Sequence, residues 1–120
     1  QNQVAEPKEM VTHGQVNIGL PSKYPAGTVS KEYLARNGFA VANESGTIIA
    51  LRLRCTHLGC AVAWQQDRDL FVCPCHASTF DILGRVVHGP ARKPLPAVVA
   101  QKNADGTLTV DLDKLFAIPV

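Results

Sequence analysis

Long apolar runs are missing from this chain. Nothing in it approaches the roughly 20 consecutive apolar residues of a membrane-spanning helix. Its first residues also lack the charged start and apolar core of a signal peptide. Strong charge of one sign is missing as well: 12 Lys and Arg against 10 Asp and Glu leave a net charge of +2, too weak and too dispersed to favour nucleic acid. There are no internal repeats and no low-complexity tracts, so repeat architectures are excluded. A chain of 120 residues, 46% hydrophobic and 18% charged, has instead the makeup of one folded domain with a modest core.

What the chain does contain is concentrated. All four cysteines and two of the four histidines fall in two strings, Cys55-Thr56-His57-Leu58-Gly59-Cys60 and Cys73-Pro74-Cys75-His76-Ala77-Ser78-Thr79-Phe80. Each string offers one Cys and one His at close spacing, then adds a second Cys. Such a pair is too short to wrap a metal alone, but two loops can face each other across one. The 15 residues between His57 and Cys73 suffice for a strand pair that would bring the loops together. Two thiolates and two imidazoles suit an iron–sulfur cluster in which Cys55 and Cys73 hold one iron and His57 and His76, as neutral rings, hold the other. Two Cys and two His are also a common structural zinc set, and four Cys allow three pairings into ordinary disulfides. Zinc leaves the matching second Cys of each loop unexplained, and two disulfides leave His57 and His76 idle.

The rest of the chain punctuates itself into short strands. Residues 1–13 are polar, aperiodic and interrupted by Pro7, and read as a linker or arm before a domain over 14–120. Alternation predicts a strand over Gly14 to Leu20, stopped by Pro21. Ser30 to Arg36 predicts one or two helical turns capped by Ser30 and ended by Asn37-Gly38. Phe39 to Asn43 and Thr47 to Arg54 predict a hairpin around Glu44-Ser45-Gly46, with one face of the second strand as core and its end feeding Cys55. Ala61 to Gln65 and Leu70 to Val72 flank a turn at residues 66–69. Phe80 to Leu83 and Arg85 to Val87 predict a hairpin at Gly84, and three prolines stiffen Gly89 to Pro96. Ala97 to Gln101 and Thr107 to Leu112 predict a last hairpin around Asp105-Gly106. The expected fold class is all-β: an antiparallel β-sandwich or barrel with a small lobe, about residues 55–90, inserted at one end. Trp64, the single tryptophan, is expected to pack beneath that lobe.

Thr-His-Leu-Gly, Cys-Pro-Cys-His, Ser78 and Gly89-Pro90 give the chain its resemblance to a known family. It resembles the Rieske [2Fe–2S] proteins, most closely the soluble domain of the Rieske subunit of bc-type quinol:cytochrome c oxidoreductases. The likeness is specific over Cys55 to Pro96 and loose over Lys23 to Leu112. It implies the Rieske fold and a [2Fe–2S] cluster held by Cys55, His57, Cys73 and His76. It also implies a disulfide between Cys60 and Cys75, worth about 3 kcal/mol for a loop of this size, and hence a location outside the reducing cytosol. Ser78 matches a serine whose hydroxyl bonds a bridging sulfide. Phe80 stands where high-potential members carry a tyrosine, implying a lower potential, and Ala77 replaces a usual glycine.

Leu58, Gly59, Gly89 and Pro90 would flank the exposed histidines at the docking surface, and Arg92-Lys93 is more basic than the family leads one to expect. The implied partners are a quinol, a cytochrome b-type subunit and a c-type cytochrome or equivalent acceptor. The domain would sit on the periplasmic or other extracytoplasmic side, membrane-associated through partner subunits or an anchor absent from this sequence. It would transfer electrons without being a catalyst on its own. Two rivals within the resemblance are the Rieske small subunit of another oxidoreductase, such as an arsenite oxidase, and the ferredoxin of a ring-hydroxylating oxygenase. The latter usually lacks the extra cysteine pair. A zinc-stabilised structural module is the rival of another class.

Overall fold

Short alternating segments, broken by Gly, Pro, Asn or Asp, fold into eleven strands and two short α-helices in the computed structural model, which describes residues 10–120. In chain order these are β1 (Gln15–Gly19), β2 (Val29–Ser30), α1 (Leu34–Asn37), β3 (Ala40–Glu44), β4 (Thr47–Leu51), β5 (Ala63–Gln65) and β6 (Leu70–Val72). They continue with β7 (Thr79–Phe80), β8 (Val86–His88), β9 (Ala97–Val99), β10 (Gln101–Lys102), β11 (Leu108–Asp111) and α2 (Leu112–Phe116). Three antiparallel sheets result: an outer sheet ordered β1-β11-β10, a middle sheet β2-β3-β4-β9 and a lobe sheet β5-β6-β7-β8. This is the expected all-β architecture with a lobe at one end.

The core divides in two across the middle sheet. On the outer side, Val41, Ile48 and Ala50 pack with Ile18, Phe39, Val110, Leu112 and Leu115. On the lobe side, Ala40, Ala42, Ile49 and Leu51 pack with Leu53, Cys55, Phe71, Cys73, Phe80 and Leu95. The expectation of one core face on the Thr47 strand is therefore corrected: both faces are buried, because a sheet lies against each. That explains the near-continuous apolar run Thr47–Leu51, the pattern of a strand covered on both sides.

Other differences are local. Ser30 pairs with Val41 as part of β2 instead of capping a helix, so the helical segment shrinks to Leu34–Asn37. Gly38 ends it in the left-handed region (φ 76°), donating its N–H to Leu34 O, as Asn37-Gly38 predicts. The strand predicted over Ala97 to Gln101 is split: β9 pairs with β4 while β10 pairs with β11, so the chain changes sheets at Ala100. Helix α2, not expected from the sequence, starts where the Asp111 carboxylate accepts from Asp113 N and Lys114 N. The strand predicted over Phe80 to Leu83 stops at Phe80, because the Asp81 carboxylate closes a turn by accepting from Leu83 N and Arg85 N at 3.0 and 2.9 Å. Of the expected arm, residues 1–9 lie outside the described residues. Val11 is held to α1, its N–H donating to Arg36 O and its carbonyl accepting from the Asn37 side chain.

Candidate metal centre

The two Cys/His strings close into loops on one hydrogen-bond plan. In the first, Cys55 N donates to Cys60 O and Gly59 N to Cys55 O, both at 2.7 Å. In the second, Cys73 N donates to Ser78 O at 2.8 Å and Ala77 N to Cys73 O at 3.0 Å. Cys55 thus corresponds to Cys73, Gly59 to Ala77 and Cys60 to Ser78. The fifth position of each loop turns left-handed, with φ 75° at Gly59 and 62° at Ala77. The alanine therefore has a consequence that the sequence reading did not assign it: a side chain sits where its twin loop uses glycine. Strands β5, β6 and β7, in register from Ala63 opposite Val72 and from Phe71 opposite Phe80, hold the loops beside each other. Trp64 stacks at a tilt on Phe71 with ring centroids 4.8 Å apart, inside the lobe as expected.

Cys60 and Cys75 are joined in a disulfide that ties loop to loop. Cys55 and Cys73 are the free cysteines, and both are buried, at 1% and 2% exposure. The Cys73 sulfur lies within 4.8 Å of both disulfide sulfurs. Because those two are committed to each other, Cys55 and Cys73 are the thiols that remain free. Burial pushes the Cys55 thiol up. Hydrogen bonds from the backbone N–H groups of His57 and Leu58, from the Cys73 thiol and from the Ser78 hydroxyl outweigh it and bring its pKa below the ordinary thiol value. The site is thus arranged to accept negative charge on sulfur. His57 and His76 are exposed, their rings edge to face with centroids 5.2 Å apart.

A third segment covers the loops. The buried Ser78 hydroxyl accepts from Ala91 N at 3.1 Å, and the Thr56 hydroxyl donates to Lys93 O at 2.6 Å. Gly89, left-handed at φ 107°, lies so close that an added Cβ would come within 2.4 Å of Ser78 Cα. Leu58 is 61% exposed at the tip. Thr56, His57, Gly89, Pro90, Arg92 and Lys93 line an open cleft of about 440 Å³. Phe80 is fully buried in the core that also holds Cys55 and Cys73, and has no hydroxyl to offer a sulfur.

Sequence spacing anticipates the meeting of the two loops. It misses Thr56, whose bond to Lys93 O depends on a fold-specific approach that no local signal announces. It also misses the close fit of Gly89 on Ser78, for which the invitation to look was a glycine directly before a proline. Of the other two histidines, His13 is near Asp113, and His88 pairs opposite Thr79 on β8, directly before Gly89.

Two buried thiols and two exposed imidazoles, on loops braced by a disulfide, fit a two-iron cluster with mixed sulfur and nitrogen ligands. Comparison with known proteins points the same way. Residues 14–101 match the family model of the Rieske [2Fe–2S] domain. The chain is 42% identical over 77 residues to iron–sulfur subunit 2 of the cytochrome b6-f complex from the cyanelle of Cyanophora paradoxa, a match covering 61% of this chain and 31% of that protein. It is 30% identical over 105 residues to the cytochrome b6-f complex iron–sulfur subunit of Chlorobaculum tepidum, covering 88% of this chain and 58% of that protein. The chain therefore matches less than two thirds of the length of these curated relatives.

Among solved structures, the plasma membrane Rieske protein of the cyanobacterium Synechocystis PCC 6803 aligns with a TM-score of 0.54 at 31% identity, covering 79% of this chain and 98% of that one. The ferredoxin of carbazole 1,9a-dioxygenase from Nocardioides aromaticivorans IC177 aligns with a TM-score of 0.53 over 82% of this chain and 98% of that one, and at 16% identity shares the fold alone.

Proposed function

The chain belongs to the Rieske [2Fe–2S] domain family, and from that premise we propose that it carries electrons from a quinol to a c-type cytochrome as a subunit of a membrane-bound oxidoreductase. In this reading Cys55 and Cys73 hold one iron, and His57 and His76 hold the other. The observation that carries it is the division of the donor set by burial: thiols inside the lobe core, imidazoles at the surface. Such a cluster, when bound, supplies one-electron chemistry at roughly −150 to +300 mV.

The residues of the chain do the rest. Cys55 and Cys73 would anchor the charged side, and at Cys55 backbone N–H groups and the Ser78 hydroxyl receive that charge. His57 and His76 present ring edges to a partner, and a ring N–H not committed to metal can donate to a quinol oxygen. Cys60–Cys75, Thr56 and Ser78 keep the three loops from separating, which keeps water off the buried sulfurs. Phe80 fills its space without donating a hydrogen bond, which favours a potential low in the family range. Leu58, Gly59, Gly89 and Pro90 shape the surface around the rings. A cytochrome b-type subunit would frame the quinol site, on the extracytoplasmic face of the membrane. Among the described residues no helix is long and apolar enough to cross a membrane.

The test is spectroscopic. The purified, reconstituted protein should be red-brown and, when reduced, give an EPR signal averaging below the free-electron value. A colourless protein containing one zinc per chain would replace this reading with the structural one. Identifying the partner subunit by co-purification, cytochrome b-type or molybdopterin-type, separates the quinol reading from the arsenite-oxidase-like one.

A further inference from the structure

The three segments that meet at the tip contain no carboxylate. No Asp or Glu occurs in residues 54–66, 70–80 or 86–96, and the Lys and Arg of these stretches are Arg54, Arg92 and Lys93, all exposed. None of the three enters an ion pair among the described residues, where the pairs found are His13–Asp113, Lys23–Glu32 and Arg85–Asp81. Two of the three acids of the lobe, Asp69 and Asp81, line with Glu44 a second cleft that shares no lining residue with the His57 cleft.

Arg92 and Lys93 line that His57 cleft and are held in place rather than trailing. Lys93 O accepts from the Thr56 hydroxyl, Ala91 N is fixed on Ser78, and Pro90 and Pro94 stiffen the segment on either side. Leu58, next to the cleft residue His57 in the chain, is exposed. An apolar centre with a pre-ordered charged rim is the anatomy of a protein-docking surface, and rigidity lowers its ordering cost.

We propose that Arg92 and Lys93 form a cationic docking edge on the His57 side of the tip, and that it fits an electron-acceptor protein presenting an acidic face. The inference rests on the electron-carrier reading above and adds the charge of the partner. Three cations fall short of the clusters of 4–8 Lys or Arg that read as anionic-lipid sites, whereas a few unpaired charges suffice to steer a protein partner and set its association rate.

The holoprotein, reduced, is mixed by stopped flow with an acidic and with a basic c-type cytochrome of similar potential, at ionic strengths from about 10 mM to 300 mM, a range that carries the screening length from about 30 Å to below 8 Å. The rate with the acidic cytochrome should fall as salt rises. R92E/K93E should lower that rate roughly tenfold at low salt, leave it nearly unchanged at high salt, and speed the basic cytochrome. Voltammetry on each variant separates docking from any change in driving force.

Calorimetric titration of oxidised holoprotein with the oxidised acidic cytochrome reads docking without electron flow, and its salt-sensitive affinity should be lost in R92E/K93E. Electron transfer to both cytochromes with no dependence on salt or on these residues overturns the docking edge while leaving the carrier reading intact. Binding without electron transfer overturns the carrier reading instead. Salt-sensitive pelleting with phosphatidylglycerol vesicles, lost in R92E/K93E while cytochrome rates and binding are unaffected, would assign the edge to lipid and overturn the proposal.

Discussion

The two halves of the core are built from different materials. Between the outer and middle sheets, Ile18, Phe39, Val41, Val110, Leu112 and Leu115 close on one another as hydrocarbon. The buried hydroxyl there, on Tyr24, is satisfied by Ile18 O at 2.5 Å, and burial pushes its pKa up to about 12. Between the middle and lobe sheets, two thiols are core members, and the loops around them are fixed by a disulfide and by hydrogen bonds from Ala91 N to Ser78 and from Thr56 to Lys93 O. The first half is stabilised by packing that needs nothing from outside. The second encloses donors whose complement is a metal group. Fold stability and site integrity should therefore be separable by mutation.

The largest expected effect is loss of iron. Cys55→Ser, Cys73→Ser, His57→Ala and His76→Ala should each leave nearly no iron after purification, whereas Cys60→Ser and Cys75→Ser should retain a labile fraction. Iron per chain is the measurement, and equal loss in all six variants would erase the distinction between ligand and brace.

Phe39→Ala tests the other half. Removing this fully buried ring should cost about 3–5 kcal/mol in chemical denaturation, with the potential of the folded holoprotein unchanged. A shifted potential would mean that the halves are not separable.

Gly89→Ala should act in the opposite sense. An added methyl must displace the segment from Ser78, at roughly 2 kcal/mol from the clash and the left-handed backbone together. Its signature is faster iron release to a chelator, with the outer core intact by near-ultraviolet dichroism of its tyrosines.

Phe80→Tyr supplies a donor beside the thiols. A hydrogen bond that favours the reduced state by about 1 kcal/mol raises a one-electron potential by about 40 mV. Ser78→Ala should lower it by a similar amount. Voltammetry on the pair decides this, and an unmoved potential in Phe80→Tyr would show that position 80 does not face a ligand sulfur.

The smallest effect compares the twin loops. Ala77→Gly should raise thermal stability by about 0.5–1 kcal/mol, relief of left-handed strain partly offset by chain entropy. Gly59→Ala should lower it by a similar amount, from backbone strain alone, because nothing lies within 4 Å of the added methyl.

The site was more legible in the sequence than the fold around it. Four cysteines placed in two strings already pair the loops, because metal donors must converge and few other residues can serve. Strands bounded by polar turns were legible as well, as at β6 after residues 66–69 and at Asp105-Gly106. What escaped depended on distant partners. Ala97 to Gln101 reads as one strand, and only the packed sheets divide it between two neighbours at Ala100. Ser30 is as good a cap as a strand residue until Val41 pairs with it. Helix α2 was different: Asp111 ahead of Leu112-Asp113-Lys114 is a cap signal that the preceding strand pattern concealed.

The buried middle sheet carries a problem of addressing. In a half-exposed hairpin a one-residue slip would push apolar side chains into water, so the pattern itself defends the alignment. Here both faces are apolar, and a slip of β4 would exchange Ile48 and Ala50 with Ile49 and Leu51, swapping one oily set for another. The information that aligns β3 with β4 must therefore reside in the turn. Asn43 supplies it: its side-chain oxygen accepts from Gly46 N at 2.7 Å, while its amide nitrogen donates to Tyr24 O at 2.6 Å. One polar residue thus indexes the hairpin locally and against a distant segment. Because β4 runs directly into Cys55, the alignment set at Asn43 decides where the first thiol is delivered, at the far end of the strand.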